Sequence, residues 1–180
     1  DDTVKVSIIR GDDKAFSAGY DLKSDMSQHQ PFHTAGGQGN WPRHVLEGCF
    51  FIWDLAKPVI GCVDGYALAG GVELCAACDL LYVSEQAKIG YPPVRFTSPP
   101  DNQMMPWYMG MRNAMYYMLT GDAMSGAEAV ACGFANGCFA QSDLDNEVLA
   151  IAKRVALIPL DLQQMNKRSV HRQMDIMEIR

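Results

Sequence analysis

The chain opens on residues that alternate and then run apolar, VKVSIIRG at 4–11, rich in β-branched side chains and ending at Gly11-Asp12-Asp13. That pattern predicts a strand closed by a turn. Residues 24–42 carry Ser, Gln, His, Pro and Gly, including AGGQG at 35–39, and read as a long mobile loop of the kind that serves as a lid. Between 44 and 56, Val45, Leu46, Cys49, Ile52 and Trp53 fall at helical spacing, and Pro58 separates that helix from a second strand, VIGCV. A further helix is expected from near Gly70 to about Cys78, followed by a third strand in DLLYVSE. Strands and helices in this alternation predict a layered α/β domain.

Beyond residue 90 the pattern becomes helical. MMPWYMGMRNAMYYMLTG is mostly apolar, with Gly121 as its C-terminal stop. Ser125 and Glu128 have the spacing of a capping box. Leu144, Val148, Ile151, Ala152 and Val155 line one helical face, and Pro159 opens a last helix whose apolar positions are Leu162, Met165, Val170, Met174 and Met177. That last stripe predicts packing against a partner subunit. No internal repeat or linker interrupts the chain, so residues 1–110 read as a core and 111–180 as the helical C-terminal part of the same domain.

Composition narrows the function. The 180 residues are 48% hydrophobic and 20% charged, enough for one sizeable core. A formal charge of −6, with no stripe of Lys and Arg, argues against nucleic acid as a partner. No apolar run is long enough to span a membrane, and no secretory leader is visible at Asp1. The six cysteines, at 49, 62, 75, 78, 132 and 138, lie mostly within apolar runs and read as buried free thiols. A cytoplasmic protein is expected.

The chemistry concentrates in KPVIGCVDGYALAGGVELCAACDL, residues 57–80. Glycine lets other atoms approach the backbone closely, and a helix start leaves N–H groups unpaired with partial positive charge. Gly70 and Gly71, after a buried strand, therefore mark a place for a negative oxygen. Two donors normally converge on such an atom. The second is expected from FSAGYDL at 16–22, with the amides of Tyr20 and Gly70 facing one point if their strands lie side by side. The competing reading is that both glycines simply let a helix pack tightly on a sheet.

RGDDKAFSAGYDLK, then KPVIGCVDGYALAGGVELCAACDLLYVSEQAKIGYP, then LTGDAMSGAEAVACGFAN together resemble the crotonase superfamily, the enoyl-CoA hydratase/isomerase group. The resemblance implies a spiral of ββα units with a helical C-terminal region, shortened at both ends, assembled as a homo-trimer or hexamer and acting on acyl-CoA thioesters. Coenzyme A would be part of the substrate, with no permanently bound cofactor and no metal. Tyr20 and Gly70 match the two backbone donors that hold an enolate. Ala18 and Leu22 match positions that clasp the bent coenzyme, and Lys14 and Lys23 match basic positions near its phosphates. Glu73 matches the first of two catalytic glutamates; a first-turn Glu also complements the helix dipole. Pro93 stands where the second glutamate belongs and cannot move a proton. Asp101 aligns with a catalytic aspartate of the dienoyl-CoA isomerase branch, although Asp after TSPP also suits a turn. Isomerisation is therefore expected ahead of hydration. The alternatives are a non-catalytic acyl-CoA-binding or structural member of the fold and, less favoured, bond hydrolysis.

Other signals carry less. Cys75 and Cys78 form a C-x-x-C, but with no second pair at ligand spacing they read as core. His29 and His33 are separated by Pro31, which argues against a helical metal pair. Gly65-x-x-x-x-Gly70 lacks the Lys-Ser/Thr of a phosphate loop. The methionines and aromatics of 104–118 read as core or acyl-pocket wall.

Overall fold

A computed structural model describes residues 1, 3–12, 14–20 and 40–179, with side chains in the first helix from residue 47 onward. The predicted lid at 24–42 lies outside these residues except at its end, where Asn40 already begins a helix; Leu22, Lys23, His29 and His33 lie outside them too.

Successive short strands are dealt to two sheets in turn. The first sheet holds β1 (Ser7–Arg10), β3 (Val59–Val63), β5 (Leu80–Ser84) and β8 (Gly137–Phe139), in the order β1-β3-β5-β8 and parallel throughout. The second holds β2 (Ala15–Ser17), β4 (Tyr66–Leu68), β6 (Lys88–Gly90) and β7 (Ala123–Ser125), in the order β2-β4-β6-β7 with only the last pair antiparallel. All five residues of β3 are buried, which explains its unbroken apolar run: a central parallel strand is covered on both faces. The helices are α1 (Asn40–Asp54), α2 (Gly70–Ala77), α3 (Met105–Thr120), α4 (Gly126–Ala131), α5 (Leu144–Ala156) and α6 (Leu160–Ile176). Val63, Val72, Val83, Ile89, Met104 and Met124 form the centre of the core.

The long elements match the pattern of the sequence, and the ends obey the predicted chemistry. Ser125 Oγ accepts from the Glu128 amide at 3.3 Å while Glu128 Oε2 accepts from the Ser125 amide at 2.8 Å, a complete capping box. Gly121 caps α3 at φ 68°. The three-residue strands β2, β4, β6, β7 and β8 were not expected, because three residues are too few to display a period. Two of them, β7 and β8, draw the C-terminal half into sheets begun by the N-terminal half. Gly110, at φ 73°, breaks the run expected as one helix at 104–121.

The last helix leaves most of its apolar stripe, expected to meet a partner subunit, uncovered within the chain. Leu162, Met165, Val170 and Met177 are exposed, only Met174 packs on the core, and the buried residues of α6 are Gln163 and His171. The reason is a carboxylate just after α2. Asp79 Oδ2 accepts from Lys167 Nζ at 2.8 Å and from the Val59 amide at 2.7 Å, and His171 Nε2 stands 2.9 Å from Asp79 Oδ1. Lys167 also donates to the Lys57 carbonyl at 3.2 Å, and the His171 ring stacks on Trp53 with centroids 3.8 Å apart. This polar cluster, more than apolar contact, sets which face of α6 turns inward.

All six cysteines are free, with Cys75 and Cys78 buried around α2. Among the described residues no helix is long and apolar enough to cross a membrane, and no cluster of three metal-binding side chains occurs.

Candidate active site

β2 and β4 lie side by side and parallel, pairing Ala15 with Tyr66 and Ser17 with Ala67. The chain therefore leaves both strands in the same direction, toward Gly19-Tyr20 on one side and Ala69-Gly70 on the other. The two turns touch. A side chain on Gly19, whose φ of +91° only glycine adopts readily, would collide with Ala69 Cβ at 2.8 Å and crowd the Gly70 nitrogen at 3.2 Å. Ala69 itself has φ 53° and ψ −124°, a costly conformation for a residue with a Cβ, of the kind that concentrates at functional turns.

The adjacent glycines have different physical roles. A methyl on Gly71 would lie 2.3 Å from the Ser17 carbonyl oxygen, so that glycine is what lets α2 pack on the end of β2. This half of the pair fits the tight-packing reading. A methyl on Gly70 would meet nothing closer than Gly19 Cα at 3.6 Å, and would look onto the Tyr20 ring at 3.9 Å and Glu73 Oε2 at 4.0 Å. A methyl there would fit in ordinary van der Waals contact, without the clash that one on Gly71 would suffer. Gly70 is the first residue of α2, so its amide is one that the helix leaves without an internal acceptor.

Glu73 is 2% exposed. Oε1 accepts from the Asn102 amide at 2.9 Å, whereas Oε2 is buried without a hydrogen-bond partner among the described residues. Burial is the main cause that raises Glu73 from 4.5 to about 7; the Asp101 charge adds to the rise, and hydrogen bonds from the Asn102 and Asp101 amides oppose it. Burial also raises half-buried Asp101 from its ordinary value. The Tyr20 phenol is raised by burial and by the charges of Asp101 and Glu73. Tyr20, Gly70, Glu73 and Asp101 are thus brought together around one point, and a cavity of about 10 Å³ adjoins Glu73 between Val72, Pro100 and Met105.

The remaining candidates are placed differently. Lys14 and Ala18 are exposed, Lys14 just before β2 begins and Ala18 just after it ends. Leu22 and Lys23 lie outside the described residues. Pro93 sits in a short 3-10 turn, Pro92–Arg95, between β6 and α3. Three residues not anticipated from the sequence complete the surroundings. Cys49 from α1 and Asn102 are buried against Glu73, and the Tyr91 phenol feels the charges of Glu73 and Asp101. A hydrophobic-spacing pattern records Cys49 and Tyr91 only as core, and Asn102 carries no local signal. A larger cavity, about 630 Å³ and lined by Trp53, Met165, Arg168, His171 and Arg172, lies between α1 and α6 and contains none of these site residues.

Comparison with known proteins fits this geometry. The family model described as enoyl-CoA hydratase/isomerase matches residues 1–180. A probable enoyl-CoA hydratase of Rhizobium meliloti is 33% identical over 180 residues, covering 98% of this chain and 67% of that protein. The mitochondrial enoyl-CoA hydratase of Pongo abelii is 30% identical, covering 95% of this chain and 58% of that protein. The crystal structure of an enoyl-CoA hydratase/isomerase from Xanthobacter autotrophicus superposes with a TM-score of 0.89 at 31% identity, over 99% of this chain and 66% of that one. The chain thus spans about two thirds or less of the length of these relatives. Its two alternating sheets are the spiral of the crotonase fold, and the chain belongs to the enoyl-CoA hydratase/isomerase family.

Proposed function

We propose that this chain carries the active site of an enzyme that handles acyl-CoA thioesters through an enolate, with the Tyr20 and Gly70 amides as the oxyanion donors and Glu73 as the acid/base. The observation that carries the reading is the Glu73 carboxyl: buried, anchored through one oxygen, without a hydrogen-bond partner among the described residues at the other, and 4.0 Å from where a methyl on Gly70 would lie. A thioester carbonyl set in that space would place its neighbouring carbon within reach of Oε2. Ionised Glu73 takes a proton from that carbon chain, and the electron pair moves onto the carbonyl oxygen, where the two N–H groups stabilise it. Asp101, whose neutral form burial favours, gives a proton to a different carbon when it holds one. Glu73 then passes its proton back to Asp101 through solvent, and the net change is a displaced double bond. A carboxyl poised near neutrality suits both halves of such a transfer.

Isomerisation is the favoured outcome, because hydration in this family relies on a second glutamate and Pro93 offers no proton. The names of the relatives, which include hydratases, support thioester chemistry of this class without deciding between the two reactions. In this reading Lys14, Ala18, Leu22 and Lys23 hold the coenzyme portion of the substrate. The protein works as a homo-trimer or hexamer in the cytoplasm, with residues 1–110 and 111–180 as two parts of one domain.

A panel of enoyl-, dienoyl- and hydroxyacyl-CoA substrates, with products weighed by mass spectrometry, tests the proposal. Isomerisation leaves the mass unchanged while the double bond moves, and hydration adds one water. Binding of every thioester with no product at all would favour a non-catalytic acyl-CoA-binding subunit instead.

A further inference from the structure

The hydrogen bonds around Glu73 form a closed ring. The Asn102 amide donates to Glu73 Oε1 at 2.9 Å. The Asn102 side chain donates through Nδ2 to Cys49 Sγ at 3.4 Å, and the Cys49 thiol donates to the Glu73 carbonyl oxygen at 3.9 Å. The ring starts and ends on Glu73 and ties together three pieces of chain distant in sequence: α1, the first turn of α2, and the segment leading into α3. Its members are 7%, 2% and 6% exposed at Cys49, Glu73 and Asn102, so water does not compete for these bonds.

A carboxyl beside a substrate has two equivalent oxygens and a terminal torsion that is broad and soft. Left alone, it would swing through the space above Gly70. Capture of Oε1 from one side removes that freedom and leaves Oε2 as the oxygen turned toward Gly70. The capturing amide belongs to Asn102, whose own position is held by its side chain on Cys49. We propose that Asn102 is a positioning residue of this site: with Cys49 it fixes the direction of the Glu73 carboxyl and determines which oxygen works. This rests on the reading of Glu73 as the acid/base. Neither Asn102 nor Cys49 is given a contact with substrate in this proposal, so the effect passes through Glu73 alone.

The groups facing Glu73 are Asp101, the phenols of Tyr20 and Tyr91, and the Cys49 thiol, which burial and the Glu73 charge push up to about 11. All of these are neutral or anionic near pH 7, so the Asn102 amide is a principal support for the ionised form. Loosening it must make Glu73 hold its proton more tightly.

The test combines carbon-detected NMR titration of glutamate carboxyls, which reads Glu73 without turnover, with steady-state kinetics on crotonyl-CoA and the panel above. Asn102→Ala should move the Glu73 midpoint upward by at least about half a pH unit. It should lower kcat about ten- to a hundredfold with KM within about twofold. Cys49→Ala should shift both in the same direction by less, and Cys49→Ser, which keeps a donor and an acceptor, should restore them. The double variant Asn102→Ala/Cys49→Ala should be no worse than Asn102→Ala alone, because the ring is already open. A melting temperature that falls in Asn102→Ala or Cys49→Ala while the Glu73 midpoint and kcat per folded molecule stay put would overturn the proposal and leave a purely structural ring. Should Asn102→Ala fail to fold, the contrast between Cys49→Ala and Cys49→Ser decides on its own. Undiminished turnover in Glu73→Gln would instead remove the acid/base reading, while the titration midpoint would still report on the ring.

Discussion

Two carboxylates, Glu73 buried and Asp79 partly so, bracket helix α2, and their surroundings differ. Asp79, just past its end, has two donors on one oxygen, Lys167 and the Val59 amide, and the His171 ring nitrogen 2.9 Å from the other. Glu73, in its first turn, has backbone amides as its support, that of Asn102 on Oε1 and that of Asp101 close by, and no hydrogen-bond partner for Oε2 among the described residues. A charge that has lost water must be compensated or must become neutral. Asp79 is compensated and thereby organises α6. Glu73 is left short of support and is raised to about 7, which is costly for folding and useful for moving protons. In the proposed reading one carboxylate serves stability and the other chemistry, six residues apart.

The sharpest way to break this contrast is to neutralise each in turn. Glu73→Gln should cost about 10²–10⁴ in kcat on whichever thioester is turned over, by removing the acid/base while keeping the shape. Asp79→Ala should leave the site chemistry intact per folded molecule but destabilise the fold by about 3–5 kcal/mol, since it strands a buried lysine. Urea denaturation of the two variants, set beside their kinetics, should therefore give opposite rankings. If Asp79→Ala lost activity without losing stability, the division of labour would be wrong.

The two glycines allow a similar contrast. Gly71→Ala should be strongly destabilising, because its methyl would sit 2.3 Å from the Ser17 carbonyl, a rigid backbone atom. Gly70→Ala meets no atom within 3.6 Å and should change stability by less than about 1 kcal/mol, yet it fills the space in front of Glu73 and should reduce kcat/KM at least about tenfold. Thermal melts and kinetics on both variants check the pair.

The smallest effect is in the pH dependence of stability. The Glu73 carboxyl is raised on folding, so the folded chain binds this proton more tightly than the unfolded chain does. Its contribution is neutral below about pH 4.5 and becomes an increasing cost up to about pH 7, reaching about 3 kcal/mol on the value of about 7. Glu73→Gln should relieve part of that cost. The stability difference between variant and parent should grow in the variant's favour from pH 5 to pH 8, and a difference that does not change with pH would show that Glu73 is not held neutral by burial.

Much of this was readable from residues alone, and the reasons for the gaps are physical. Gly70 and Glu73 stand three apart in one uninterrupted block, so a single helical turn fixes their relation. Tyr20 needed only the guess that the first two predicted strands are neighbours, and β1 and β3 are, with the unexpected β2 and β4 pairing beyond them. The strands themselves were partly invisible, because three residues show no alternation and take their conformation from the sheet they join. The inward face of α6 was not legible, because apolar spacing records no polar burial, while a carboxylate at Asp79 draws Lys167 and His171 inward. The ring on Glu73 could not be read at all. Cys49, Glu73 and Asn102 are separated by 24 and 29 residues and meet only in the folded chain.

Carbon acidity at the bound acyl group is the most direct measure of the central claim. Enoyl- and saturated acyl-CoA thioesters incubated with the protein in deuterium oxide should gain deuterium next to the thioester, seen as a mass increase. Glu73→Gln should abolish the gain, whether or not any net product forms. Deuterium incorporation that persists undiminished in Glu73→Gln, or that never occurs with the unaltered protein on any thioester it binds, would contradict the account.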